Sequence, residues 1–307
     1  MSVVLVIGAS GFIGRAASTA LAERPGTRVV GAGLGVPPVG LPVEWVEVDV
    51  LERHPSDLAD LLRAIGPSVV VNAAGATVGS MSGLVRSNIL VTAVLLEALA
   101  LADLPVRLVH VGSAAEYGAG VHGSATRESA VATPVGPYGI TKLAATQLVA
   151  TAAGHGRLEA VVLRVFNPIG PAMPASSLPG AALQRLLAAR DSRSDQVTFG
   201  PLGAVRDFVD IRDVAAAVVA ASFAPSTPSP IVNVGSGTPR AARELVEALA
   251  RRLGFSGRIT ETLDGSSRSA DVLWQVADVA LARRELGWAP VHDLESSVDL
   301  VVSDSGG

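Results

Sequence analysis

Apolar residues in this chain fall into two alternating patterns. Short, nearly continuous runs, rich in valine and bounded by Gly, Pro or Asp, occupy residues 3–7, 28–31, 43–48, 69–72, 108–111 and 160–166. Such runs predict strands buried on both faces. Between them, helical spacing predicts helices over 12–22, 56–64, 84–101 and 138–153. This alternation implies an α/β fold with a doubly wound parallel sheet. After Phe166 the rhythm breaks. Residues 167–205 carry Pro168, Pro171, Pro174 and Pro179, one helical segment and a turn at 200–203. A helix at 214–223, a strand at 231–234, a helix near 240–253 and one short helical region within 281–302 are expected next. The predicted organisation is a larger domain of residues 1–167, 206–234 and 281–303. A smaller, discontinuous C-terminal lobe takes 168–205 and 235–280.

Composition narrows the function classes. The 307 residues are already 49% apolar before 32 glycines are counted, and only 17% are charged. An average chain has ~25% charged residues, and disorder needs low hydrophobicity, so a packed core is expected. A net charge of −4 argues against binding nucleic acid through its phosphates. With no cysteine there is no disulfide framework, thiolate metal site or cysteine nucleophile, and the five histidines show no ligand spacing. No metal is expected. The apolar stretch at 214–224 falls short of the ~18 residues a membrane span needs, and 89–102 is interrupted by Thr92 and Glu97. No basic residue precedes the first apolar run, unlike a signal peptide. The expectation is a soluble, cytoplasmic protein without a membrane partner.

Gly8-Ala-Ser-Gly11-Phe-Ile-Gly14 lies between the first strand and the first helix. Glycines there permit a tight turn and close approach of backbone to a pyrophosphate, which the helix N-terminus attracts. In that context they point to a dinucleotide site. The second strand ends in Gly31-Ala-Gly33-Leu-Gly35, without the carboxylate that would hold a ribose 2′-hydroxyl. Arg15 is the nearby cation. The cofactor is therefore NAD or NADP, with the balance slightly toward NADP. Asp49, ending the third strand, is a candidate for the adenine amino group or for a turn.

The chain has two tyrosines, Tyr117 and Tyr138, and one lysine, Lys142. Random placement gives a Tyr-x-x-x-Lys spacing in roughly 0.7% of arrangements, so chance explains it poorly. On a helix the two share a face. Bringing a phenol from pKa ~10 to neutrality takes ~4 kcal/mol of phenolate stabilisation, which a nearby ammonium can supply. Ser113, after the strand at 108–111, could hold a carbonyl or alkoxide oxygen while Tyr138 transfers the proton.

With these pieces in place, the sequence resembles an extended short-chain dehydrogenase/reductase of the NAD-dependent epimerase/dehydratase family. The resemblance rests on Gly8–Gly14, Asn72-Ala-Ala-Gly75, Gly112-Ser-Ala-Ala-Glu-Tyr-Gly118 and Pro137-Tyr-Gly-Ile-Thr-Lys142. It extends through Arg164-Val-Phe-Asn-Pro-Ile-Gly170, Arg206-Asp-Phe-Val-Asp-Ile-Arg-Asp213, Asn233-Val-Gly-Ser-Gly237 and Arg284-Glu-Leu-Gly-Trp288. It implies a Rossmann domain, a nicotinamide cofactor and a catalytic Ser113, Tyr138 and Lys142. It implies Ser10, Phe12, Ile13, Asp49, Val50, Ala73, Ala74, Gly75 and Phe166 at the cofactor. It implies Thr77, Asn167, Arg206 and Arg268 at the substrate, a nucleoside-diphosphate sugar. Two arginines suit a diphosphate because their planar forks bind phosphate bidentately.

Absences narrow the reaction. Family dehydratases carry an acidic pair after the hydroxyl residue, where this chain has Ala114 and Ala115. Epimerases acting at two carbons use further acid/base groups, often a cysteine. The resemblance is strongest to reductases of nucleotide-linked 4-keto-6-deoxyhexoses. A 4-epimerase that retains NAD, a reductase or epimerase of a non-sugar secondary metabolite, and a non-catalytic cofactor-binding regulator are the alternatives. The resemblance also implies a homodimer in which the helices at 84–101 and 138–153 form a four-helix bundle.

Overall fold

The parallel strands predicted from the apolar runs are present in a computed structural model, which describes residues 1–154, 156, 158–226, 229–262 and 272–305. The first part runs β1 (Ser2–Ile7), α1 (Phe12–Ala22), β2 (Thr27–Gly33), β3 (Glu44–Glu47), α2 (Pro55–Ile65) and β4 (Val69–Asn72). It continues through α3 (Met81–Leu84), a π-helical turn (Val85–Leu90), α4 (Val91–Ala102), β5 (Arg107–Ser113), α5 (Pro137–Gly154) and β6 (Glu159–Val165). The second part holds β7 (Pro168–Ile169), α6 (Leu178–Asp191), β8 (Gln196–Phe199), β9 (Val205–Asp207), β10 (Val209–Asp210), α7 (Ile211–Ser222) and β11 (Ile231–Val234). After it come β12 (Pro239–Ala241), α8 (Ala242–Arg252), β13 (Arg258–Glu261), β14 (Trp274–Gln275), α9 (Ala280–Leu286) and α10 (Leu294–Asp304).

Seven strands form one sheet in the order β11-β6-β5-β4-β1-β2-β3, and every pairing in it is parallel. The chain winds outward from β1 to β3, then crosses back to β4. The direction of winding therefore reverses between β1 and β4, the place where such sheets open a ligand crevice. Alternate residues of each strand feed opposite faces. Val4, Val6 and Val71 pack with Ala17 of α1 and Val214 of α7. Leu5, Ile7 and Val70 pack with Leu58 of α2 and Leu95 of α4. A third apolar core joins Leu186 of α6, Phe199 of β8 and Leu245 of α8 with Leu294, Val298 and Val301 of α10.

Three local readings differ from the structure. Residues 240 and 241, read as the start of a helix, instead belong to β12 because they pair antiparallel with β9. The single helical region expected in the tail is two helices, since Gly287 takes a left-handed φ of 62° and ends α9. Of these, α9 packs near β11, whereas α10 belongs to the third core. The helix expected at 84–101 starts earlier. Met81–Ala102 is continuous, and its length and composition would suffice to cross a membrane. Its inner face, with Leu95, Ala98 and Leu99 buried against α2 and the sheet, makes it a core helix here.

Candidate active site

The glycine turn after β1 is dictated by contact. Gly8 has φ 78°, and a Cβ on it would stand 2.7 Å from the Ala74 nitrogen. A Cβ on Gly14 would stand 2.1 Å from the Gly8 carbonyl oxygen. Only glycines let α1 start this close to the end of β1. Gly11 is the N-cap of α1 and no side chain caps it, so backbone N–H groups there stay available to an anion. The cradle fits a dinucleotide pyrophosphate. Ser10 is exposed beside it, while Phe12 and Ile13 are half-buried and pack on the core.

Around this cradle the other cofactor candidates take different places. Ala73 donates its N–H to the Ile7 carbonyl, and the Asn72 side chain accepts the Ala74 N–H. Gly75 lies against Asn88, whose carbonyl oxygen would stand 2.7 Å from a Cβ at that position. Asp49 is exposed, and its carboxylate accepts the Leu51 N–H at 2.9 Å, a turn role. The Val50 side chain points into the second core. Phe166 is fully buried with its ring 6.2 Å from that of Tyr117, so its side chain does not face the crevice.

Ser113 ends β5, and Tyr138 opens α5. The Ser113 side chain lies near the Tyr138 phenol, close enough to act on its titration. Burial pushes the Tyr138 phenol up from its ordinary value; Ser113 opposes this, and the Glu116 charge adds to it. The phenol thus stands above its ordinary value, not below it as the Tyr-x-x-x-Lys spacing suggests. Lys142 is buried, and its ammonium donates to the Val111 carbonyl at 2.5 Å. Burial lowers its pKa to about 8, with Glu116 pulling the other way. The same ammonium and burial keep the adjacent His110 neutral. Ser113, Tyr138 and Lys142 are thus brought together at the carboxyl end of β5.

On the substrate side, Asn167 follows β6 and donates to the Asp207 carbonyl at 3.0 Å. Arg206, on β9, is buried and donates to the Val205 carbonyl. Thr77 is exposed beyond β4. Arg268 lies outside the described residues.

Four side chains that the sequence reading did not single out hold these groups. Glu116 is fully buried; one carboxylate oxygen accepts the Ser113 N–H at 2.8 Å and the other pairs with Arg164 at 2.7 Å. The spacing Ser113-Ala-Ala-Glu116 is a capping box, a local signal that sequence could have yielded. Asn88, within the π-helical turn, bonds both ways with the Ala76 backbone and donates to Thr141 of α5. It thereby ties the β4 turn to the Tyr138 helix. Asp207 accepts from the Ser236, Gly237 and Ala277 backbones and from the Ser236 hydroxyl, which fixes the strand carrying Arg206. Gln275, on β14, is the fourth.

Comparison with known proteins places the chain in a family. Residues 4–235 match the model of the NAD dependent epimerase/dehydratase family. The chain is 39% identical over 297 residues to a dTDP-6-deoxy-L-talose 4-dehydrogenase (NAD(P)(+)) from Kitasatospora kifunensis, covering 96% of this chain and 93% of that one. Among solved structures it is similar to MoeE5 in complex with UDP-glucuronic acid and NAD, at 27% identity and a TM-score of 0.85 over 99% of this chain and 98% of that one. It is also similar to RMD from Pseudomonas aeruginosa complexed with NADPH, at 25% identity and a TM-score of 0.84 with the same coverage. A glycine cradle at the sheet's crevice, a Ser–Tyr–Lys constellation beside it and these matches lead to one assignment: the chain belongs to the NAD dependent epimerase/dehydratase family, whose members are NAD(P)-dependent enzymes of the extended short-chain dehydrogenase/reductase type.

Proposed function

We propose that this protein reduces the 4-keto group of a nucleoside-diphosphate-linked 6-deoxyhexose, with NADPH or NADH as hydride donor. The observation that carries the reading is the grouping of Ser113, Tyr138 and Lys142 at the end of β5 with alanines at 114 and 115. That set can move one proton at one oxygen and holds no second acid or base for eliminating water. The 39% identical relative supports the substrate class and favours a thymidine nucleotide.

The Gly8–Gly14 cradle holds the cofactor, which supplies the hydride when bound. Ser113 and Tyr138 orient the carbonyl oxygen by hydrogen bonds, and Tyr138 delivers its proton as the alkoxide develops. Lys142 provides positive charge at the site. Asn167 and Arg206, where segments 1–167 and 206–234 of the larger domain border the smaller lobe, and Arg268, within 235–280, serve the diphosphate and sugar. A residue with a side chain at Gly33 would crowd the Trp45 ring at 3.2 Å, and the Arg15 guanidinium donates to the Val39 carbonyl at 3.1 Å. This neighbourhood supports acceptance of either nicotinamide, with NADP slightly preferred. The cytoplasm, where both co-substrates would be met, is the compartment we assign.

The test is mass spectrometry of gently denatured protein, followed by mixing with a dTDP-4-keto-6-deoxyhexose and NADPH or NADH. No retained nucleotide and stoichiometric cofactor oxidation are expected. Similarity to a solved UDP-glucose-4-epimerase from Stenotrophomonas maltophila with bound NAD, at 27% identity, favours a second reading, 4-epimerisation. Stoichiometric tightly held NAD, with interconversion of C4 epimers and no net oxidation, would replace the first reading with it.

We further propose a homodimer. Met81, Leu90 and Leu101 on the α3–α4 helix, and Ile140 and Leu148 on α5, are exposed apolar residues that a four-helix bundle would cover. Sedimentation at micromolar concentration should give twice the chain mass; monomer alone would refute the bundle.

A further inference from the structure

The turn that carries Ser113 is gripped from outside by a residue distant in sequence. Gln275 is buried, and its side-chain amide nitrogen donates to the Ala114 carbonyl at 3.0 Å and to the Gly118 carbonyl at 3.2 Å. Both partners are acceptors, so the NH₂ group must face them, and its two hydrogens are both used. Ala114 opens the short 3₁₀ turn Ala114–Glu116, which begins immediately after Ser113, and Gly118 lies two residues beyond its end. On its other side this turn touches the helix of Tyr138: a Cβ on Gly139 would stand 2.4 Å from the Ala115 carbonyl oxygen. The turn is therefore held between Gln275 and the first turn of α5, and its position sets the separation of Ser113 from Tyr138.

The backbone of Gln275 faces the substrate side. β14 pairs parallel with β9, placing Gln275 in register with Arg206. Neighbouring residues extend the same strap in both directions. The Val205 N–H donates to Leu273, the Gly120 N–H to Trp274 and the Thr126 N–H to Val276, while Ala277 donates to the Asp207 carboxylate at 3.0 Å.

We propose that Gln275 is a positioning residue: its amide brackets the Ser113 turn and fixes it to the strand that carries Arg206, so that seating the substrate's diphosphate sets the geometry at the reacting carbonyl. This rests on the reading of Arg206 as a diphosphate ligand and Ser113 as an oxygen ligand. Gln275→Leu keeps bulk but removes both donors. Gln275→Glu aims an ionised carboxylate at two carbonyl oxygens, and only its protonated form can donate, through one hydrogen.

The experiment measures kcat and KM for the nucleotide sugar, cofactor affinity, and amide exchange at Tyr117 and Gly118 in wild type and both variants. A displacement near 1 Å costs ~10²-fold in rate. Gln275→Leu should therefore lose at least about tenfold in kcat with cofactor affinity unchanged and with faster exchange at both amides. Gln275→Glu should lose more at pH 8 and recover part of its rate toward pH 5.5, relative to wild type. Wild-type kcat and exchange in Gln275→Leu would overturn the proposal. If that variant does not fold, a ratio of Gln275→Glu to wild-type rate that is flat with pH overturns it instead. A wild type inert toward nucleotide sugars counts against the proposed function alone, because the exchange rates still report whether Gln275 holds the turn.

Discussion

Replacing Tyr138 by Phe is expected to lower turnover by ~10²–10⁴-fold, the span that a positioned general acid contributes, while leaving cofactor affinity unchanged. The ring and its packing survive, and only the hydroxyl near Ser113 is lost. Burial keeps that phenol protonated through neutral pH, so the donor form is present wherever the reduction is run. The pH profile then reports Lys142. Its pKa is lowered from 10.5 to about 8, so it carries charge below about pH 8 and loses it above. The reduction rate should accordingly be flat between pH 6 and 7 and decline as pH rises through about 8, with a single-proton slope. Lys142→Arg should shift that decline to higher pH because guanidinium stays charged. Full turnover in Tyr138→Phe, measured as cofactor oxidation, would mean that the proton donor is another group.

The second large effect falls on stability. Arg164→Met is expected to destabilise the fold by ~3–5 kcal/mol, because it leaves a buried carboxylate without its cation. The side chains of Arg164 and Glu116 are 4% and 0% exposed, so water does not replace the lost partner. The guanidinium also sits 4.4 Å over the Tyr117 ring, whose hydroxyl donates to Asn233 at 2.8 Å. One substitution thus disturbs the Ser113 turn and its bond to β11 together. The double variant Glu116→Gln/Arg164→Met should recover much of the loss, since a glutamine carbonyl can still accept the Ser113 N–H and no charge is buried. Denaturant midpoints for the single and double variants decide the matter. A single variant that costs less than ~1 kcal/mol would mean that the pair is solvated in the folded protein.

The sequence by itself determined the parallel sheet and the glycine cradle, and it marked the three residues we propose as catalytic. Each is written in short-range spacing. Valine runs specify buried strands because both faces must be apolar, Gly8 and Gly14 stand six residues apart in one turn, and Tyr138 and Lys142 share a helix face. Even Glu116 was within reach, three residues after Ser113. What only the tertiary structure decided are the contacts that give those residues their chemistry. Arg164 meets Glu116 across 48 residues, and Gln275 meets Ala114 across 161. Lys142 finds the Val111 carbonyl 31 residues back and donates its ammonium hydrogen there. β12 exists because β9 offers it a pairing edge, against a local pattern that reads as helix. A polar side chain bonded to a distant backbone leaves no period in the sequence, and the burial that shifts Tyr138 and Lys142 exists only once the strands and helices have closed around them.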